Sequence, residues 1–311
     1  MNTKPSQKKS GPTPPPKYVC RSPRPAIRAL TILGFTLALG VTVRAQTILG
    51  STGSYAVMAG STATLNGVNT FNGNLGAANL AGAGSANFTP SGSSVGAITT
   101  QNQTDFTRAF TGLAAMTGAI NLTGQILGSG GVVPTLTPGT YRFTSTAQLT
   151  GTLTLDAQGQ SNAVWVFQIG STLDTAAGSS VLFTNLAANS AVTNGLFWQV
   201  GTTTALGANT TFEGNILGGT TINFGSGATL SHGRALTGSN TITLDGNTID
   251  FVGASSGYSG GLAFSGAGNS ISAIPEPSTY ALIVGALALG IVGFRRRSLA
   301  SHRPCSSGDN R

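Results

Sequence analysis

The chain has 311 residues and a formal net charge of +8, from 16 Lys/Arg against 8 Asp/Glu. The surplus sits at the ends: residues 1–45 hold eight Lys/Arg and no carboxylate, and residues 275–311 hold five Arg against Glu276 and Asp309. Between them Arg108, Arg142 and Arg234 stand against six carboxylates with no Lys, so the central stretch is slightly acidic and lacks the basic patch that nucleic-acid binding needs. Its 229 residues, 46–274, suffice for one sizeable core. Cys20 and Cys305 both lie in the flanks, which excludes disulfide and thiolate–metal chemistry from that core.

At the N-terminus, Arg21, Arg24 and Arg28 precede an apolar run from Ala29 to Val43, and Val43-Arg44-Ala45 places small residues at −3 and −1 of a cleavage site. Residues 1–45 are therefore read as a secretory signal cut before Gln46 by signal peptidase. The region before the apolar run is long and includes a proline-rich stretch, TPPPK from Thr13, as a start codon placed too early would produce.

The middle of the chain is rich in Thr, 37 in residues 46–274, and many alternate with Leu, Ile, Phe or Val. Period-two alternation predicts half-buried strands. Similar segments recur: FQIGSTLDTAAGSSVLF from Phe167, WQVGTTTALGANTTFEG from Trp198, ILGGTTINFGSGATL from Ile216 and LTGSNTITLDGNTIDF from Leu236. The steps from Thr203 to Thr221 and from Thr221 to Thr241 are 18 and 20 residues, a length suited to one coil of three short strands with Gly/Asn corners. The longer step from Thr172 to Thr203 holds a loop, Thr184 to Asn194. With Ile242/Leu244 and Ile222/Phe224 pointing inward, Thr241/Thr243 and Thr221/Asn223 point outward. The same frame puts outward Thr172 and Asp174, Thr203 and Ala205, Thr146 and Gln148, and Thr62 and Thr64, giving two columns on one face. For the unit beginning at Tyr141 the frame stays open, because Leu153 and Leu155 fit equally well as the inward pair with Thr152 and Thr154 outward.

One segment breaks the strand pattern. Between Thr99 and Met116, Phe106, Ala109, Phe110 and Leu113 fall at helical spacing, with Gly118 as the stop. A single helix is expected along one side of the coils. Catalysis finds little to work with: six scattered carboxylates and three Arg form no cluster, and the lone His232 beside Gly233 reads as a corner residue. Asp156 and Asp245 read as turn residues, and Trp165 and Trp198 as core. A non-enzymatic protein without cofactor or metal is expected.

A Gly/Ser-rich linker, 255–274, leads to Pro275-Glu276-Pro277, then to 15 mainly apolar residues from Tyr280 to Phe294, then to Arg295, Arg296 and Arg297. At about 1.5 Å per residue such a helix spans about 22 Å, short of a bilayer core of about 30 Å without help from its flanks. By composition it is a short membrane anchor with its arginines held cytoplasmic. The order of the parts, over 275–297, resembles the PEP-CTERM sorting signal of Gram-negative bacteria that make exopolysaccharide. That resemblance implies a transmembrane helix held only until an exosortase cleaves near Pro-Glu-Pro, and a secreted or cell-surface location. The basic polar tail, 298–311, departs from it, since such signals stop soon after the arginines.

Residues 49–252, nearly all of the expected solenoid domain 46–254, resemble the microbial ice-binding protein family. The resemblance rests on Leu49-Gly50 with Tyr55-Ala56-Val57-Met58-Ala59-Gly60, on Gly73-Asn74-Leu75-Gly76, on Leu136 to Phe143, on Ala163 to Gly170, on Leu196 to Val200, on Phe212 to Leu217 and on Gly233-Arg234-Ala235-Leu236. It implies an irregular right-handed parallel β-helix, a β-solenoid of triangular section with one long helix alongside, whose N-terminal coil packs among later ones. It also implies a flat face repeating Thr, Ala or Gly, any residue, then Thr or Asn, that adsorbs to ice. The candidate face is Thr62, Thr64, Thr146, Thr172, Thr203, Ala205, Thr221, Asn223, Thr241 and Thr243; Asp174 and Gln148 depart most from the pattern. Two alternatives remain from the residues: a structural or adhesive protein of the exopolysaccharide matrix without ice affinity, and an enzyme of the β-helix kind.

Overall fold

The structure is a computed structural model describing Gly11 and residues 48–89, 92–187, 193–251, 258–265 and 268–274. The expected signal peptide, apart from Gly11, and the sorting signal with Pro275, Glu276, Pro277, Arg295, Arg296 and Arg297 lie outside the described residues. So does the apolar stretch 280–294; among the described residues no helix is long and apolar enough to cross a membrane.

The fold is mainly β. Short strands from successive coils pair in parallel into three long faces, two of them joined into one 15-stranded sheet by the strand Tyr55–Asn66 and the third forming an eight-stranded sheet. The first face stacks Gly139–Phe143, Val164–Ile169, Gly195–Val200, Asn215–Gly218 and Ala235–Thr237. The second stacks Ala147–Leu149, Leu173–Thr175, Thr204–Leu206, Ile222–Phe224 and Ile242–Asp245, and the third Thr152–Asp156, Ser180–Thr184, Thr211–Glu213, Thr229–Ser231 and Thr248–Asp250. The N-terminal strand Tyr55–Asn66 bends from the first face onto the second, pairing Val57 with Ala235 and Ala63 with Ile242, while Thr70 pairs with Thr248 on the third. Chain order is thus not stacking order: the first coil packs on the last.

Coil corners need small residues because each rests on the next. Where the first face turns into the second, Gly170, Gly201 and Gly219 stack, and a Cβ on Gly201 would come 2.5 Å from the Gly170 carbonyl oxygen. Where the second turns into the third, buried Asn69 and Asn247 replace missing backbone partners: Asn247 Nδ2 donates to the carbonyls of Gly225 and Ala228, and its N–H donates to Asn69 Oδ1. Inside the coils the aromatic rings of Tyr141, Phe167 and Trp198 stack, Phe167 on Trp198 at 3.9 Å between centroids, and Phe212 packs tilted against Trp198. Each such side chain, fully removed from water, contributes up to about 3 kcal/mol.

The expected helix runs over Thr100–Ala114. Thr99 caps its N-terminus in a capping box with Asn102, and Phe106, Ala109 and Leu113 are buried against Met58, Val166, Phe197, Leu217 and Leu236 on the outside of the first face. The helix ends four residues before Gly118, and there Gln168 Nε2 donates to the carbonyls of Leu113 and Met116, both at 2.8 Å. Part of the Gly/Ser-rich stretch 255–274 is also ordered on this side. Leu262–Phe264 and Ile271–Ala273 form an antiparallel hairpin whose Leu262, Phe264 and Ile271 pack with the helix, and Arg108 lies 3.7 Å from the Phe264 ring.

Candidate functional site

Each rung of the second face is a three-residue segment whose outer two side chains are buried and whose middle one is outward. Ala147/Leu149, Leu173/Thr175, Thr204/Leu206, Ile222/Phe224, Ile242/Leu244 and Ala63/Leu65 all point into the core. The register fixes what lies between them: Gln148 beside Asp174, Asp174 beside Ala205, Ala205 beside Asn223, Asn223 beside Thr243, and Thr243 beside Thr64. Each strand is preceded by one more outward residue in the same frame, so Thr146, Thr172, Thr203, Thr221, Thr241 and Thr62 form a second column of six consecutive threonines. Every candidate face residue therefore falls on one surface, in two columns.

Rungs about 4.8 Å apart and alternate residues about 6.7 Å apart make this surface a two-dimensional grid. Threonine suits a rigid grid because β-branching restricts χ1. A further row of small polar residues flanks it at the corner, since the N–H of Thr220 donates to the Thr202 carbonyl and that of Thr202 to the Ser171 carbonyl. Thr172 and Thr202 hydroxyls are 3.3 Å apart, and those of Thr203 and Thr220 3.4 Å, which ties part of the column to its neighbours.

The sequence frame missed a second hydroxyl column. On the third face Thr152, Ser180, Thr211, Thr229, Thr248 and Thr70 stand side by side in register. Its companion column is different in kind: Thr154, Leu182, Glu213, Ser231, Asp250 and Asn72 include two carboxylates and an exposed leucine. Glu213 there pairs with His232, Nδ1 to Oε2 at 2.9 Å, at a corner where His232 has φ +49°. Burial raises the Glu213 pKa, and the bond to Glu213 raises that of His232. The two outward columns of the second face carry one charge, Asp174.

A model of the ice-binding-like family matches residues 32–250. The chain belongs to the ice-binding-like family. An ice-binding protein of Nostoc sp. (strain HG1) is 39% identical over 207 residues, covering 65% of this chain and 73% of that protein. Another, from Flavobacterium frigoris (strain PS1), is 37% identical over 115 residues, 37% of this chain and 39% of its own length. Among solved structures, an ice-binding protein from an Antarctic biological consortium is 35% identical with a TM-score of 0.57, covering 68% of this chain and 93% of that chain. One from the Antarctic ascomycete Antarctomyces psychrotrophicus is 30% identical with a TM-score of 0.51, covering 65% and 97%.

For this member of the ice-binding-like family the remaining sequence candidates fall where packing uses them. Trp165 and Trp198 are fully buried and donate through Nε1 to the carbonyls of Leu136 and Glu213. Asp156 accepts from the N–H of Gln158 and from Asn185, as a turn residue does. Among the described residues no group of three or more His, Cys, Asp or Glu could hold a metal ion.

Proposed function

We propose that the protein is an exported ice-binding protein that adsorbs to ice through the second face. The observation that carries this is the unbroken threonine column Thr146, Thr172, Thr203, Thr221, Thr241 and Thr62, held in register on a parallel sheet. The names of the family's other members support it. The column's methyls shape a cage of ordered water and its hydroxyls anchor that cage. The stiff side chains lose little rotamer entropy when the surface is frozen over. The third face, with Glu213 and Asp250 in its grid, holds its water too strongly for the same role.

The finer architecture in this reading is a right-handed coil of triangular section. Three strands per coil and parallel pairing throughout the coils support it, because parallel crossovers are right-handed in nearly all proteins. Export by signal peptidase, a PEP-CTERM signal processed by exosortase, and a secreted or cell-surface location, with exopolysaccharide as a neighbour, complete the proposal. They rest on the residue order at the two ends.

Thermal hysteresis and ice shaping by the purified protein test the function, with Thr221→Tyr as the control that breaks the middle of the column. Activity in the parent and its loss in the variant are expected. An inactive parent sinks the ice reading, and an unaffected variant moves it to another face.

A further inference from the structure

Where the helix ends, the outside of the first face changes character. The row that runs Met58, Leu236, Leu217 beneath the helix continues in register as Gln199, Gln168 and Arg142. A cavity of about 250 Å³ opens there, lined by these three residues with Ala114, Thr144, Gly170 and Gly201 among others. Gln199 is only 6% exposed, and among the described residues its side-chain amide makes no hydrogen bond, so its polar atoms are left to the cavity that it lines. Gln168 is 5% exposed; its Nε2 is held by the helix carbonyls, and among the described residues its Oε1 accepts no hydrogen bond. Arg142 is exposed and forms no ion pair among the described residues, unlike Arg108 and Arg234, whose guanidinium groups bond to backbone and stack on Phe264 and Phe251.

A largely buried amide whose polar atoms open only to a cavity offers whatever enters it both a donor and an acceptor. The cavity is many times the roughly 30 Å³ share of one water, and it sits near the lower bound of small-molecule sites, about 300 Å³. That is room for one ring. Its donor set is one planar guanidinium, matched to a carboxylate, and two amides that both donate and accept, matched to hydroxyls. The negative end of the helix opposes an anion, but its last carbonyls are already occupied by Gln168 Nε2.

We propose that this cavity binds a single uronic acid ring, with Arg142 on its carboxylate and Gln168 Oε1 and Gln199 on its hydroxyls. The site lies on a different face from the threonine columns, so it and the ice reading stand or fall separately.

Titration calorimetry of the full chain with methyl glucuronide, methyl glucoside and acetate tests it. Millimolar binding of the glucuronide is expected, with the glucoside and acetate each weaker by about tenfold or more, a difference of about 1.4 kcal/mol. Arg142→Gln, at an exposed position, and Gln199→Glu, of equal shape but opposing charge, each weaken the glucuronide about tenfold while thermal hysteresis stays at the parent value. No glucuronide binding overturns the proposal. So does equal binding of the glucoside or acetate, or full binding by Arg142→Gln.

Discussion

Thr204 offers a test of the second face from its inner side. It sits between Leu173 and Ile222 in the inward column, is fully buried, and its Oγ1 has no hydrogen-bond partner among the described residues. Its backbone N–H donates to the Thr221 carbonyl and is unaffected by the side chain. Thr204→Val replaces the hydroxyl by a methyl of nearly the same shape. An unsatisfied buried hydroxyl costs about 1–3 kcal/mol, and a buried methyl gains under about 1 kcal/mol, part of which crowding removes. A net stabilisation of about 1–2 kcal/mol is expected, which raises the Tm by about 2–8 °C for a domain of this size. Scanning calorimetry of parent and variant measures it. Thermal hysteresis should not change, because Thr203 and Ala205 still face outward. A lowered Tm would refute the reasoning, since it would mean that the hydroxyl is bonded in solution, for instance to a trapped water.

Three further outcomes follow from the same geometry. Asp174→Thr removes the one charge from the two outward columns and should raise thermal hysteresis at equal protein concentration; a fall would mean that the charged rung contributes to ice contact. Gln168→Leu removes the side-chain donor from the carbonyls of Leu113 and Met116 and should cost about 1–3 kcal/mol, read as a lower Tm and faster amide exchange in the last helical turn. The Glu213–His232 pair, with Asp250 and Tyr258 beside it, makes stability pH-dependent. The His232 pKa lies above its ordinary 6.5, chiefly through the bond to Glu213, so its stabilisation is complete below that pH and is lost as pH climbs past the raised value. Burial lifts Glu213 above its ordinary 4.5, which also makes the fold less stable as the carboxylate ionises. The Tm should therefore fall from pH 5 to pH 8, and His232→Gln should flatten the upper part of that fall.

The second face was legible in the sequence because each outward residue stands between two inward ones. Ile222 and Phe224 around Asn223, or Ile242 and Leu244 around Thr243, fix the frame within three residues, and the recurring Thr then aligns the rungs. The third face carries as regular a hydroxyl column and yet stayed hidden. Its central strands, Thr211–Glu213, Thr229–Ser231 and Thr248–Asp250, have one inward residue each, so there is no alternation to count. The open frame of the Tyr141 unit has the same origin. Ala147/Leu149 and Leu153/Leu155 are both inward pairs, on the second and third faces, and the corner between them shifts the period in a way that a linear pattern cannot distinguish from a slipped register.

What the sequence could not offer is contact between distant segments. Gln168 reads as one polar residue in an apolar strand, and only the fold brings its amide to the end of a helix more than fifty residues earlier in the chain. The stretch 255–274 has the composition of a linker, but Leu262, Phe264 and Ile271 find an apolar surface that exists only once the helix has docked. Both contacts lie on the first face and leave the second uncovered. A helix and a hairpin laid over the threonine grid would have supplied hydrogen-bond partners to its hydroxyls. Confined to the first face, they leave the threonine grid of the second clear of the helix and the hairpin.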